Sequence, residues 1–206
     1  IAYRTDLPQL VVPTTYAGSE MTPILGQTEN NLKSTLKSPK VQPESVIYDP
    51  ELTLTLPDFI TGPSGMNAIA HAVEALYAED RNPIISMMAE DAIRALGSAL
   101  PVLMRDGTDI PAREQALYGA WLSGISLGSV GMAIHHKICH TLGGTFDLNH
   151  AEVHCLMLPY TAAYNREAAP DAMAAIGRAL NNADPIDGLY QDRKSTRLNS
   201  SHVRLS

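Results

Sequence analysis

The chain has 206 residues, 45% of them hydrophobic, and a formal net charge of −7. This is a globular composition with room for one sizeable core or two small ones. The negative charge argues against nucleic acid as a partner, and no apolar run is long enough to span a bilayer.

Ile1 in place of Met reads as the middle of a longer protein, and no signal peptide is expected. Cys139 and Cys155 make neither a disulfide framework nor a CxxC pair. A cytoplasmic location is therefore expected.

Residues 1–56 carry strand signals. "QLVVPTT" reads as a buried strand running into a polar turn, and "ILGQT" with "KSTLKS" reads as a hairpin around Glu29, Asn30 and Asn31. "ESVIYDP" is a further strand, stopped by Asp49 and Pro50. "ELTLTLPDFITGPSG" is dense in Pro and Gly and suggests a domain boundary.

Helical signals follow. Met66, Ile69, Ala70, Val73 and Leu76 share one face, with Ser64 as the expected cap. A second helix is expected from Asn82 as cap and Pro83 at its first position. A third, "PAREQALYGAWLSGISLGSVGMAIHH", carries Gly119, Gly124, Gly128 and Gly131, small enough for another backbone to approach. "HKICHTLGG" reads as a short helix closed by glycines. "AEVHCLMLPYTAAYN" and "PDAMAAIGRAL" supply two more. Residues 193–206 carry four basic residues, no acid and no periodicity. They read as translated adapter sequence, and 191–206 is expected to be a disordered, non-native tail.

The expected fold is α+β and mostly α. Residues 1–56 would be the end of an α/β nucleotide-binding domain, and 57–190 an all-helical catalytic domain.

Four of the seven histidines fall in "HHKICHTLGGTFDLNH". His136 and His140 are four apart, as are Asn67 and His71, so each pair shares a helix face. His150 follows a glycine-rich turn. Imidazoles ligate transition metals when neutral and handle protons near neutral pH. Three histidines and a carboxylate would suit Fe²⁺ or Zn²⁺, but the oxygen position holds Asn67, whose amide neither compensates a dication's charge nor binds it as tightly. Lone His135, His154 and His202 read as packed or surface residues, Cys139 and Cys155 as small buried hydrophobes, and Trp121 as core. Glu74 and Glu152 read as structural or surface.

The pattern N-x3-H-x2-E, then H-x3-H, then a third His after glycines, resembles the iron-containing (group III) alcohol dehydrogenase family. The carrying segments are "PTTYAGSEMTP", "SGMNAIAHAVEALYA", "ALYGAWLSGISLGSVGMAIHHKICHTLGGTFDLNHAEVH" and "LPYTAAYN". The resemblance implies a dehydroquinate synthase-like architecture and NADH or NADPH as cofactor. It implies cofactor contacts from Thr14, Thr15, Ser19 and Lys33. It implies a glycine-rich pyrophosphate loop upstream, without which this segment alone would be inactive.

Metal-dependent members use an Asp and three His, which fall on Asn67, His71, His136 and His150; His140 matches a further active-site histidine. With Asn in the Asp position, the chain is most similar to the branch that reduces the carbon–carbon double bond of maleylacetate to 3-oxoadipate in aromatic-compound degradation, without need of a metal. His140 would donate a proton or stabilise the enolate, and His71, His136 and His150 would receive substrate carboxylate. The implied partners are a small dicarboxylate substrate and a second copy in a homodimer. The alternatives are an Fe- or Zn-dependent alcohol dehydrogenase of the same family and a non-catalytic helical metal-binding module.

Overall fold

The structure, a computed structural model, describes residues 2–29 and 32–196; for residues 28, 29 and 32–34 it describes the backbone alone. A four-residue helix α1 (Ala2–Thr5) precedes strand β1 (Leu10–Val11). The hairpin strands β2 (Ile24–Glu29) and β3 (Leu32–Lys37) come next, then β4 (Ser45–Val46). Seven helices follow: α2 (Asp58–Tyr77), α3 (Pro83–Leu103), α4 (Ile110–Ser129), α5 (Ile134–Phe146), α6 (His150–Tyr164), α7 (Pro170–Ala179) and α8 (Pro185–Ser195).

The hairpin forms as the alternation requires. Ile24 pairs with Lys37 and Gly26 with Thr35, so these four residues share one face. The strand expected to be buried is not. β1 has β4 as its parallel neighbour, and Leu10 is 64% exposed. A parallel strand is buried when layers cover both its faces; none covers Leu10 among the described residues.

α2 is the axis of the helical region. Every residue from 61 to 76 is buried, and the helix packs against α3, α4, α6 and α7. It begins at Asp58, well before the expected cap at Ser64. Pro57 precedes the first turn, where the carboxylate of Asp58 favours the positive end of the helix. The glycines and Pro63 that suggested a boundary are helical. Gly62 and Gly65 are there for contact: a Cβ on Gly65 would lie 2.5 Å from Leu100 Cδ2, and one on Gly62 would lie 2.8 Å from Thr196 Cβ. The hydroxyl of Ser64 donates inward to the Thr61 carbonyl.

α3 starts as expected, with the Asn82 side chain accepting from the Ile85 N–H. The long third helix stops at Ser129, and the segment to Ala133 turns the chain by about a right angle into α5. Both Asp80 carboxylate oxygens receive the Gly131 N–H and hold that turn. α5 does not close at its glycines: Gly143 and Gly144 are helical, and Asp147 in the left-handed region (φ 51°) ends it. The small-residue stripe of α4 does receive a backbone, since a Cβ on Gly124 would sit 2.4 Å from the Gly18 carbonyl oxygen. Arg113, fully buried, ties the same loop down by donating to the Tyr16 hydroxyl at 2.8 Å and to the carbonyls of Gly107 and Leu56.

The expectation of disorder does not hold for the first residues of the tail. α8 runs through Ser195, with Arg193 buried and its guanidinium 4.5 Å from the Tyr190 ring centroid. Residues 197–206 lie outside the described residues. Among the described residues, no single helix is long and apolar enough to cross a membrane.

Candidate active site

The loop at Ser19, the hairpin, α2, the end of α4, α5 and the start of α6 enclose a cavity of about 840 Å³. It draws one wall from each. The hairpin face contributes Ile24, Gly26, Thr35 and Lys37. α2 contributes Asn67 and His71, which lie one helical turn apart. α5 contributes His136, Lys137, His140 and Thr141, and α6 contributes His150 from its first turn. All five residues of the Asn–His constellation and Ser19 therefore meet in one place. Thr14 is exposed and Thr15 half-buried in the turn after β1, and neither lines the cavity. The backbone of Lys33 belongs to β3; its side chain lies outside the described residues.

The histidine rings form a continuous group. His71 stacks on His136 with centroids 4.9 Å apart, His136 is 6.4 Å from His140, and His140 is 5.4 Å from His150. Three atoms of the constellation are buried without a hydrogen-bond partner: Asn67 Oδ1, His71 Nδ1 and His136 Nε2. Buried polar atoms are normally satisfied, so these three ask for a ligand.

Burial pushes the His71 imidazole well below its usual pKa, and the neighbouring His136, His150, His135 and His140 push the same way. The neutral form of His71 is therefore favoured. It can donate or accept a hydrogen bond but brings no charge.

Glu74 is the residue that sequence reasoning undervalued. One helical turn after His71, it is fully buried and reaches across to the start of α5. Its carboxylate receives the N–H groups of His135 at 2.7 Å, Ala133 at 3.1 Å and His136 at 3.4 Å. It also bonds to His136 Nδ1. Burial alone would raise its pKa. The His136 hydrogen bond and charge, with the His135 N–H, outweigh that and hold it below the usual carboxylate value. The carboxylate fixes the tautomer of His136 and leaves Nε2 for the cavity. The available signal was the spacing from His71, but spacing along one helix does not reveal a partner on another.

His135 and His154 are packed residues, as expected. His135 Nδ1 contacts Thr161 Oγ1 at 2.8 Å, and its Nε2 contacts His154 Nδ1 at 3.0 Å. Among the described residues, the group of three whose possible ligand atoms all lie within 4.8 Å of one another is His135, Cys139 and His154. His71, His136 and His150 do not converge in that way.

Residues 61–197 match the C-terminal domain of the Fe-containing alcohol dehydrogenase family. A maleylacetate reductase of Rhizobium sp. (strain MTP-10005) is 60% identical over 190 residues, 92% of this chain and 54% of that protein. The solved structure of maleylacetate reductase from Rhizobium sp. strain MTP-10005 superposes with a TM-score of 0.93 at 57% identity, covering 97% of this chain and 57% of that one. The sulfoacetaldehyde reductase of Bifidobacterium kashiwanohense, solved in complex with NAD⁺, superposes with a TM-score of 0.87 at 25% identity over 94% of this chain and 53% of that one. The chain thus spans about half the length of the curated relatives it matches. It belongs to the iron-containing alcohol dehydrogenase family.

Proposed function

We propose that a full-length protein carrying this segment reduces the carbon–carbon double bond of maleylacetate to 3-oxoadipate at the expense of NADH or NADPH, without a bound metal. The observation that carries the reading is the cavity wall: Asn67 with four histidines, and no carboxylate lining it among the described residues. The similarity to maleylacetate reductases at 60% identity supports the substrate.

A reduced nicotinamide, when bound, supplies the hydride. The cavity has the size of a cofactor-and-substrate site, and the hairpin face with Ser19 offers the wall for the dinucleotide: Gly26 has no Cβ, and the space where one would project is open. Hydride is delivered to the alkene carbon β to the ketone. The enolate that develops needs donors, and its α carbon needs a proton. His140, in the cavity beside His136 and His150, is the proposed proton donor. Neutral His71 and the Asn67 amide supply hydrogen bonds without charge. His136, its far nitrogen fixed by Glu74, holds Nε2 toward the same space.

A metal does not suit this donor set. The amide of Asn67 compensates no cation charge, and the imidazoles of His71, His136 and His150 do not gather at ligand spacing. A homodimer in the cytoplasm completes the proposal, supported by the family resemblance. The test is NADH and NADPH oxidation with maleylacetate against a simple aldehyde. Preference for maleylacetate supports the reading; preference for the aldehyde moves the protein to the alcohol dehydrogenase branch.

A further inference from the structure

A maleylacetate dianion needs positive charge, and the cavity offers little of it. No Asp or Glu lines it among the described residues, although the chain as a whole is acidic. Among the described residues its formal cations are two lysines, Lys37 and Lys137. Neither ammonium has an ion-pair partner among the described residues, whereas Lys40, on the outer surface, pairs with Asp6 at 3.0 Å.

The two lysines stand on different walls. Lys37 lies on the hairpin face with Ile24, Gly26 and Thr35, on the side of Ser19. Lys137 lies on α5, where residues 137, 140 and 141 share one side of the helix. Lys137, His140 and Thr141 all line the cavity, and the Thr141 hydroxyl is turned back to the Lys137 carbonyl at 2.8 Å. The proposed proton donor is thus one helical turn from an ammonium on the same face. A carboxylate at one end of a short chain, held by Lys137, would lay the chain's reactive end along His140.

We infer that Lys137 is the anchor for one carboxylate of the dicarboxylate substrate, and that Lys37 serves the cofactor side. The inference rests on the reading of the site as a dicarboxylate reductase. A charge-assisted contact of this kind contributes about ten- to a hundredfold in affinity. Because it binds substrate and transition state alike, its loss appears in KM more than in kcat.

The experiment compares Lys137→Met, Lys137→Arg and Lys37→Met in a full-length protein carrying this segment, with circular dichroism and urea midpoints as folding controls. Turnover of maleylacetate and calorimetric binding of adipate, a non-reacting dianion, are both measured. The expected result for Lys137→Met is a KM for maleylacetate raised about ten- to a hundredfold, kcat within about threefold, an unchanged KM for the nicotinamide cofactor, and adipate binding weakened in parallel. Lys137→Arg recovers most of the loss, and Lys37→Met moves the cofactor KM instead. An unchanged maleylacetate KM and unchanged adipate binding would overturn the inference, as would a shift confined to the cofactor. If the unmutated protein binds adipate through Lys137 but does not turn over maleylacetate, the proposed reaction fails and the carboxylate anchor stands.

Discussion

The Glu74 carboxylate meets both His136 Nδ1 and the backbone N–H of His135, and so joins the central helix to the first turn of the histidine helix. Two consequences follow from this one side chain. It orients the imidazole, and it satisfies donors at a helix start that would otherwise be buried without partners. Glu74→Ala removes one partner of a buried pair and strands three backbone donors. The expected cost is about 3–5 kcal/mol of stability, read from urea denaturation. Glu74→Gln keeps one acceptor oxygen and is expected to fold with a smaller loss while lowering kcat. Wild-type kcat in a folded Glu74→Gln protein would remove Glu74 from the account.

Asn67 stands where metal-dependent members carry Asp. Asn67→Asp would place a carboxylate beside a dianionic substrate. The expected outcome is a fall in kcat/KM for maleylacetate of about tenfold or more, equal to ~1.4 kcal/mol or more of added repulsion. Unchanged turnover would refute the charge argument.

The buried histidines set a pH dependence of stability. Burial and mutual repulsion lower the folded-state pKa values of His71 and His154, and that of His135 is pushed down to about 4. The unfolded chain binds protons at about 6.5, so it holds more protons than the folded one below that pH. Stability is then full above about 6.5 and falls as pH drops through the window toward 4, by roughly 3 kcal/mol for His135 alone. Urea midpoints measured from pH 7.5 down to 5 should decline. A flat profile would mean these imidazoles are not buried neutral.

Gly124 lies where the Gly18 carbonyl crosses α4, and Gly18 itself has φ 75°. Gly124→Ala forces the loop that carries Ser19 away from the helix. A stability loss of about 1–3 kcal/mol is expected, with a raised cofactor KM. Gly144→Ala, where the added methyl meets open space, is the control and should cost nothing measurable.

The sequence showed the helical half well because its signals are local. Asn82 before Pro83, and the four-residue spacings of Asn67 with His71 and His136 with His140, each speak for one helix turn. The errors arose where distant contacts decide. Gly62 and Gly65 read as breakers because the chain does not display Thr196 and Leu100, which need their missing side chains. The strand at Leu10 reads as buried because its apolar residues do not reveal how many neighbours it has. Glu74 reads as no more than structural or surface, and Lys137 does not stand out, for the same reason: an acid or a lysine on a helix is usually solvated, and only the packing of α2 against α5 and the closing of the cavity give Glu74 its role and Lys137 its proposed one.

Reduction of maleylacetate without a metal is put to the test by chelation. A full-length protein carrying this segment is stripped exhaustively of divalent metal, its metal content is measured, and NADH oxidation with maleylacetate is followed before and after. Turnover is expected to be unchanged by stripping and not raised by added Fe²⁺ or Zn²⁺. Activity lost with the metal and restored by Fe²⁺ or Zn²⁺ would contradict this and make His71, His136 and His150 ligands despite Asn67.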